Sequence, residues 1–125
     1  MIIRELRPDD LEELKRIHAK HYTNEFNFPN FNEHFLCAYV VEQDGKIITV
    51  GGIRTIMEVI AITDKDESTR KRIEALKYIY SASLYFAEQE GYKELHAFIQ
   101  DKAWMKHLKK FNFKDTKGHA LVLEI

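Results

Sequence analysis

The chain of 125 residues is long enough for one hydrophobic core, and a single domain over 1–125 is expected. Its 45% apolar content argues against a disordered chain. Nineteen basic against twenty acidic residues leave a formal charge of −1, so no global field points to nucleic acid or to an anionic membrane.

Met1-Ile2-Ile3-Arg4-Glu5 carries no signal h-region, and no apolar run approaches the roughly 20 residues of a membrane span. A soluble, cytoplasmic protein is expected. Ile2 to Leu6 reads as a short strand, which Pro8 stops while suiting the first turn of a helix. Asp9, three residues before Glu12, is a variant of the capping-box pattern. Leu11, Leu14, Ile17, His18 and His21 follow at helical spacing, so the first helix is expected to run to about Tyr22. Residues 22–36 lack clear periodicity and read as loop, with room for one short helix.

Ala38 to Gln43 alternates as a strand, Asp44-Gly45 signals a hairpin, and Lys46 to Ile53 returns. Met57 to Thr63 is a further apolar strand. The polar cluster Asp64 to Thr69 opens the longest helix, whose inner face is Ile73, Leu76, Tyr80, Ser83, Leu84 and Ala87. Gly91 ends it as a glycine just past a helix does. Leu95 to Ile99 reads as a strand, and Trp104, Leu108 and Phe111 mark a last short helix. A strand is possible around Phe113, and His119 to Ile125 reads as a closing strand. The expected fold class is α/β (α+β), a mixed central sheet flanked by helices.

This order of elements resembles the GNAT N-acetyltransferases along nearly the whole chain. Ile3 through Leu11 resembles the family's opening strand and capped helix. Val40-Val41-Glu42-Gln43-Asp44-Gly45-Lys46-Ile47-Ile48 resembles its second strand, tight turn and third strand, with Gly51-Gly52 beyond. Met57-Glu58-Val59-Ile60-Ala61-Ile62 resembles its fourth strand, which often carries an acid at the place of Glu58. Asp101 through Phe113 resembles its closing helix and terminal Gly-Phe, with Asn112 replacing the glycine.

The resemblance implies an acyl-coenzyme A-dependent N-acyltransferase, with acetyl-CoA as co-substrate and an amine of a small molecule or protein as acceptor. Glu58 would be the base that takes a proton from the ammonium. The backbone of Ile60, Ala61 and Ile62 would pair with the pantetheine. The family's pyrophosphate turn is R/Q-x-x-G-x-G/A at the start of the long helix, where free N–H groups and the helix dipole favour anions. Its nearest counterpart is Arg70-Lys71-Arg72-Ile73-Glu74-Ala75. Arg70 and Ala75 fit; Ile73 stands where the first glycine belongs. The family's usual acid, a tyrosine five residues before the final phenylalanine, is replaced by Leu108. The alternative is a GNAT-like fold that has lost catalysis and serves as a binding or structural protein.

Other candidates read more plainly. His18 and His21 lie one turn apart with no third ligand at motif spacing, so no metal site is expected. Cys37, the only cysteine, excludes an internal disulfide and reads as a small buried hydrophobe. Tyr22, Phe26, Phe28, Phe31 and Phe35 fall where the family's substrate-binding segment lies; they read as anchors for the loop or a dimer contact rather than as a substrate wall. Lys102, Lys106, Lys109 and Lys110 form a wet basic face, not a nucleic-acid site. A monomer or homodimer is expected.

Overall fold

The computed structural model describes all residues, 1–125, and is of mixed α/β class. The chain divides into two compact units, Met1–Ile56 and Met57–Ile125.

The first unit contains β1 (Ile2–Glu5), a 3-10 turn (Pro8–Asp10), α1 (Leu11–His21), β2 (Phe35–Gln43) and β3 (Lys46–Arg54). The strands form an antiparallel sheet in the order β1-β2-β3. Asp44 and Gly45 take φ of 52° and 75°, the paired left-handed conformation that a two-residue hairpin turn requires, and Gln43 faces Lys46 across it. Register shifts between Phe35 and Cys37 and between Val41 and Glu42 bend β2. Gly52 lies opposite the first bulge, where a Cβ would run into the Cys37 carbonyl. Val40 and Leu14 are the buried apolar residues of this unit, while Cys37 is only half-buried.

The start of α1 corrects one expectation. The capping box lies at the 3-10 turn, between Arg7 and Asp10, and not at Asp9: the Asp10 Oδ2 accepts the Arg7 N–H at 2.8 Å, and the Asp10 N–H donates to the Arg7 carbonyl at 3.0 Å. The same carboxylate meets the guanidinium of Arg4, which also donates to Glu42 on β2 at 3.1 Å. The Arg4 hydrogen bonds, aided by the Arg7 N–H, hold the Asp10 carboxyl down to about 2 against the opposing effect of burial. On the helix surface Arg16 likewise lowers Glu13 by hydrogen bonding.

The loop of residues 22–34 is pinned by its rings. His18 Nε2 lies 2.6 Å from the Phe26 carbonyl, and its ring meets those of Phe26 and Phe28 edge-on. Phe28, Phe31 and Phe35 continue the series at centroid spacings of 5.8 and 4.9 Å. Aromatic anchoring lets an irregular segment keep one course without a ladder.

The second unit contains β4 (Met57–Glu58), α2 (Thr69–Gln89), β5 (Leu95–His96) and α3 (Lys102–Lys110). β4 and β5 pair in parallel, Met57 with Leu95 and Glu58 with His96, which requires the crossover that α2 provides. Ser68 caps α2 by accepting the Lys71 N–H at 3.3 Å. On its inner face Ile73, Leu76, Tyr80 and Ser83 are half-buried and Ala87 is buried, as their spacing predicts; Leu84 is 37% exposed and sits at the edge of that face.

Both helices end alike. Gly91 has φ 78°, its N–H donates to the Glu88 carbonyl and the Tyr92 N–H to that of Ala87. Asn112 has φ 69°, its N–H donates to the Lys109 carbonyl and the Phe113 N–H to that of Leu108. Each pair of bonds is a Schellman cap, so Asn112 does the backbone work expected of glycine.

Four strand expectations need correction. The strands form two sheets, one antiparallel and one parallel, in place of a single mixed sheet. β4 and β5 are two residues each rather than seven and five, because after the bond from the Val59 N–H to the His96 carbonyl (2.8 Å) the segments lose their cross-strand pairing. His119 to Ile125 forms no strand: it has no ladder partner, and Leu121, Val122, Leu123 and Ile125 are at least 85% exposed. Phe113 is the residue after a helix cap and not part of a strand.

Candidate functional site

Beyond Val59, where the pairing is lost, the second unit holds a cleft. Its two walls are 58–63 on the β4 side and 97–100 on the β5 side, with a volume of ≈ 560 Å³. That is ample for a small organic ligand. Strand-like segments that stop pairing leave backbone N–H and C=O groups to be satisfied by water or a ligand.

The rest of the lining comes from the helices. α2 contributes Leu76, Ile79 and Tyr80, and α3 with its cap contributes Trp104, Leu108, Phe111 and Phe113. Tyr80 stacks on Phe111 at 5.7 Å and meets Phe113 edge-on at 5.9 Å, which fixes this wall. Glu58, Lys65 and Asp101 are the only charged residues of the lining. Asp101 also caps α3, accepting the Ala103 N–H at 2.8 Å.

Glu58 stands where the walls are still paired. Its neighbour in register is His96, and opposed residues of a parallel pair project to the same side of the sheet. Glu58 is exposed, with no ion pair inside its unit. His96 Nδ1 is buried without a hydrogen-bond partner, while Nε2 lies 3.6 Å from Glu94 Oε2.

The residues singled out in the sequence thus fall into two groups. Glu58, Ile60, Ala61 and Ile62 are brought together on one wall of the cleft. Those at the helix start are elsewhere. Arg70, Ile73 and Glu74 line a broad, open hollow of ≈ 800 Å³ along α2, together with Lys77 and Tyr78. Although larger, it is walled by one helix alone, so the cleft is the better-formed site. Lys71 pairs with Glu67 at 3.2 Å, Arg72 donates from Nη2 to Thr69 Oγ1 at 3.1 Å, and Ala75 is exposed. Arg72 Nε is buried with no partner.

Sequence reasoning missed Tyr80, Phe98 and Trp104 as parts of the site. Leu76, Tyr80 and Trp104 were legible only as helix-face residues, since periodicity tells that a face is covered and not by what. Lys102, Lys106, Lys109 and Lys110 are exposed on α3, and Lys109 pairs with Asp115 at 3.2 Å. No group of His, Cys, Asp or Glu is arranged to hold a metal, and no helix is long and apolar enough to cross a membrane.

Comparison with protein-family models, curated proteins and solved structures finds no match to this chain.

Proposed function

We propose that the protein is an acyl-coenzyme A-dependent N-acyltransferase of GNAT-like fold, acting on an amine with acetyl-CoA as its simplest co-substrate. One observation carries the reading: two parallel strands pair for two residues and then part around a cleft, with a carboxylate at the paired end. A pantetheine arm is linear and rich in amides. The freed backbone of Ile60, Ala61 and Ile62 offers the donors and acceptors of a strand edge, to which such an arm can pair as an added strand does. The cations of Arg70, Lys71 and Arg72 near the α2 N-terminus suit the phosphates.

In the reaction the free amine attacks the thioester carbonyl and a C–N bond forms. The tetrahedral intermediate collapses with cleavage of the C–S bond, giving amide and thiolate. Glu58 takes the ammonium proton, directly or through water, to give the attacking free amine; the proton that the nitrogen loses on collapse passes to solvent, and the thiolate is protonated from solvent. With Leu108 in the lining, no side chain at that position donates a proton to sulfur.

The same Leu108, with Ile73 at the helix start, favours the second reading, a non-catalytic binding protein on this fold. Calorimetry with acetyl-CoA and thiol release against a panel of amines decide the matter. The enzyme binds and releases thiol above the spontaneous rate; binding without release selects the second reading. Absence of both heat and thermal stabilisation at millimolar acetyl-CoA removes the cofactor from the protein. A ligand at 100 times its Kd stabilises a fold by about 2.7 kcal/mol, so a bound cofactor is visible in a melting curve.

A further inference from the structure

We infer that the cleft is built for an acyl chain of medium length, several methylenes longer than acetyl, whose apolar part lies against α2 and α3. The thioester part of this inference rests on the acyltransferase reading; the apolar part does not. The charges of the lining are few, and between Glu58 on β4 and Asp101 at the start of α3 its helical side is formed by apolar and aromatic groups. Acetyl would leave nearly all of that surface wet. Two large apolar side chains of the lining are also uncovered: Phe98 is 57% exposed and Ile79 47%. Apolar groups gathered in one concavity and left in water mark a binding site for apolar matter.

The chemistry of the two kinds of surface separates the two parts of the ligand. Unpaired backbone along Ile60 to Ile62 suits the amides of pantetheine, which must exchange their water hydrogen bonds for others. The helical side, including Leu76, Ile79 and Leu108, offers no such exchange and suits a saturated chain, which needs none. At Leu108 the resemblance to acetyltransferases implies a phenol; an aliphatic side chain there extends the apolar surface.

The chain has one tryptophan, Trp104, and it lines the cleft, so its fluorescence reports occupancy. The experiment titrates the protein with coenzyme A, acetyl-, butanoyl-, hexanoyl- and octanoyl-coenzyme A, and with the free alkanoates. Burial of a methylene is worth about 0.8 kcal/mol, or roughly fourfold in affinity. Four methylenes, from butanoyl to octanoyl, are therefore expected to tighten binding by on the order of two hundred-fold. Phe98→Ser, at an exposed position, is expected to flatten that gradient without unfolding the protein. Equal affinity for all acyl-coenzyme A species overturns the inference and leaves the acyltransferase reading standing. A gradient among the alkanoates with no binding of coenzyme A does the reverse. Octanoyl bound more weakly than acetyl also overturns it, and absence of any fluorescence change or heat with every probe overturns both.

Discussion

Arg4 holds Asp10 by both arms of its guanidinium, Nη1 to Oδ2 and Nη2 to Oδ1, each at 2.8 Å. The pair ties β1 to the first turn of the helical segment, and Glu42 on the neighbouring strand joins it through the same arginine. Charge-assisted, bidentate pairs have fixed geometry, so the contact sets where α1 begins relative to the sheet.

The sign of its pH dependence follows. The Asp10 carboxyl is lowered from 3.8 to about 2 by the folded state, so its contribution is complete above pH 4 and is lost as pH falls through 2. Melting temperature is expected to drop across that window in the wild type. Asp10→Asn, which keeps the shape but not the charge, should be less stable at pH 7 and lose part of the acid-induced drop. Parallel profiles for the two proteins between pH 5 and 2 would show that the ion pair contributes nothing to the fold.

Gly52 and Gly51 are adjacent in β3 and meet different surroundings. A Cβ at Gly52 collides with the Cys37 backbone carbonyl, whereas one at Gly51 meets nothing within 4 Å. Backbone cannot swing aside as a side chain can, so Gly52→Ala is expected to cost about 1–3 kcal/mol. Gly51→Ala should be neutral or slightly stabilising. Chemical denaturation of the two variants checks the contrast, and equal stabilities would sink it.

What could be read in the sequence and what could not divides along the range of the interaction. The Asp44-Gly45 turn, the Gly91 cap and the inner face of α2 depend on neighbours a few residues away, and the sequence carries them openly. Strand length does not behave so. Met57 to Thr63 and Leu95 to Ile99 have strand composition throughout, but a strand exists only where a partner lies alongside, and the partners part after two residues. His119 to Ile125 makes the same point, since its run of aliphatic residues meets no ladder. Arg4 and Glu42 are 38 residues apart, and nothing local announces their meeting. At the candidate site, the segment from Glu58 to Ile62 was legible through its position in the order of elements. The helical wall was not, because Tyr80, Trp104 and Phe111 are joined there by packing alone.

Asn112 gives a test of how well a residue can stand in for glycine. Its φ of 69° is left-handed, a conformation that costs most L-residues about 1–2 kcal/mol and asparagine less. Asn112→Gly should leave stability unchanged or raise it, and Asn112→Ala should lower it by about 1 kcal/mol. If alanine proves as stable as asparagine, the cap of α3 does not depend on this residue.

Glu58 separates the enzyme from its non-catalytic rival. Glu58→Gln preserves size and hydrogen-bonding capacity while removing the ability to take up a proton. The side chain is exposed and lies in no ion pair of its unit, so the substitution should leave the melting temperature where it was. General-base assistance is typically worth about 10²–10⁴-fold, and acyl transfer to a good amine should fall by a factor in that range. Coenzyme affinity should barely change, since the carboxylate sits at the paired end of the cleft and not among the cations of α2. A rise in pH should restore part of the lost rate, because more of the amine is then unprotonated without help. Thiol release from wild type and variant, measured side by side across pH, gives the answer. Equal rates at every pH would remove Glu58 from the chemistry and leave the cleft as a binding site alone.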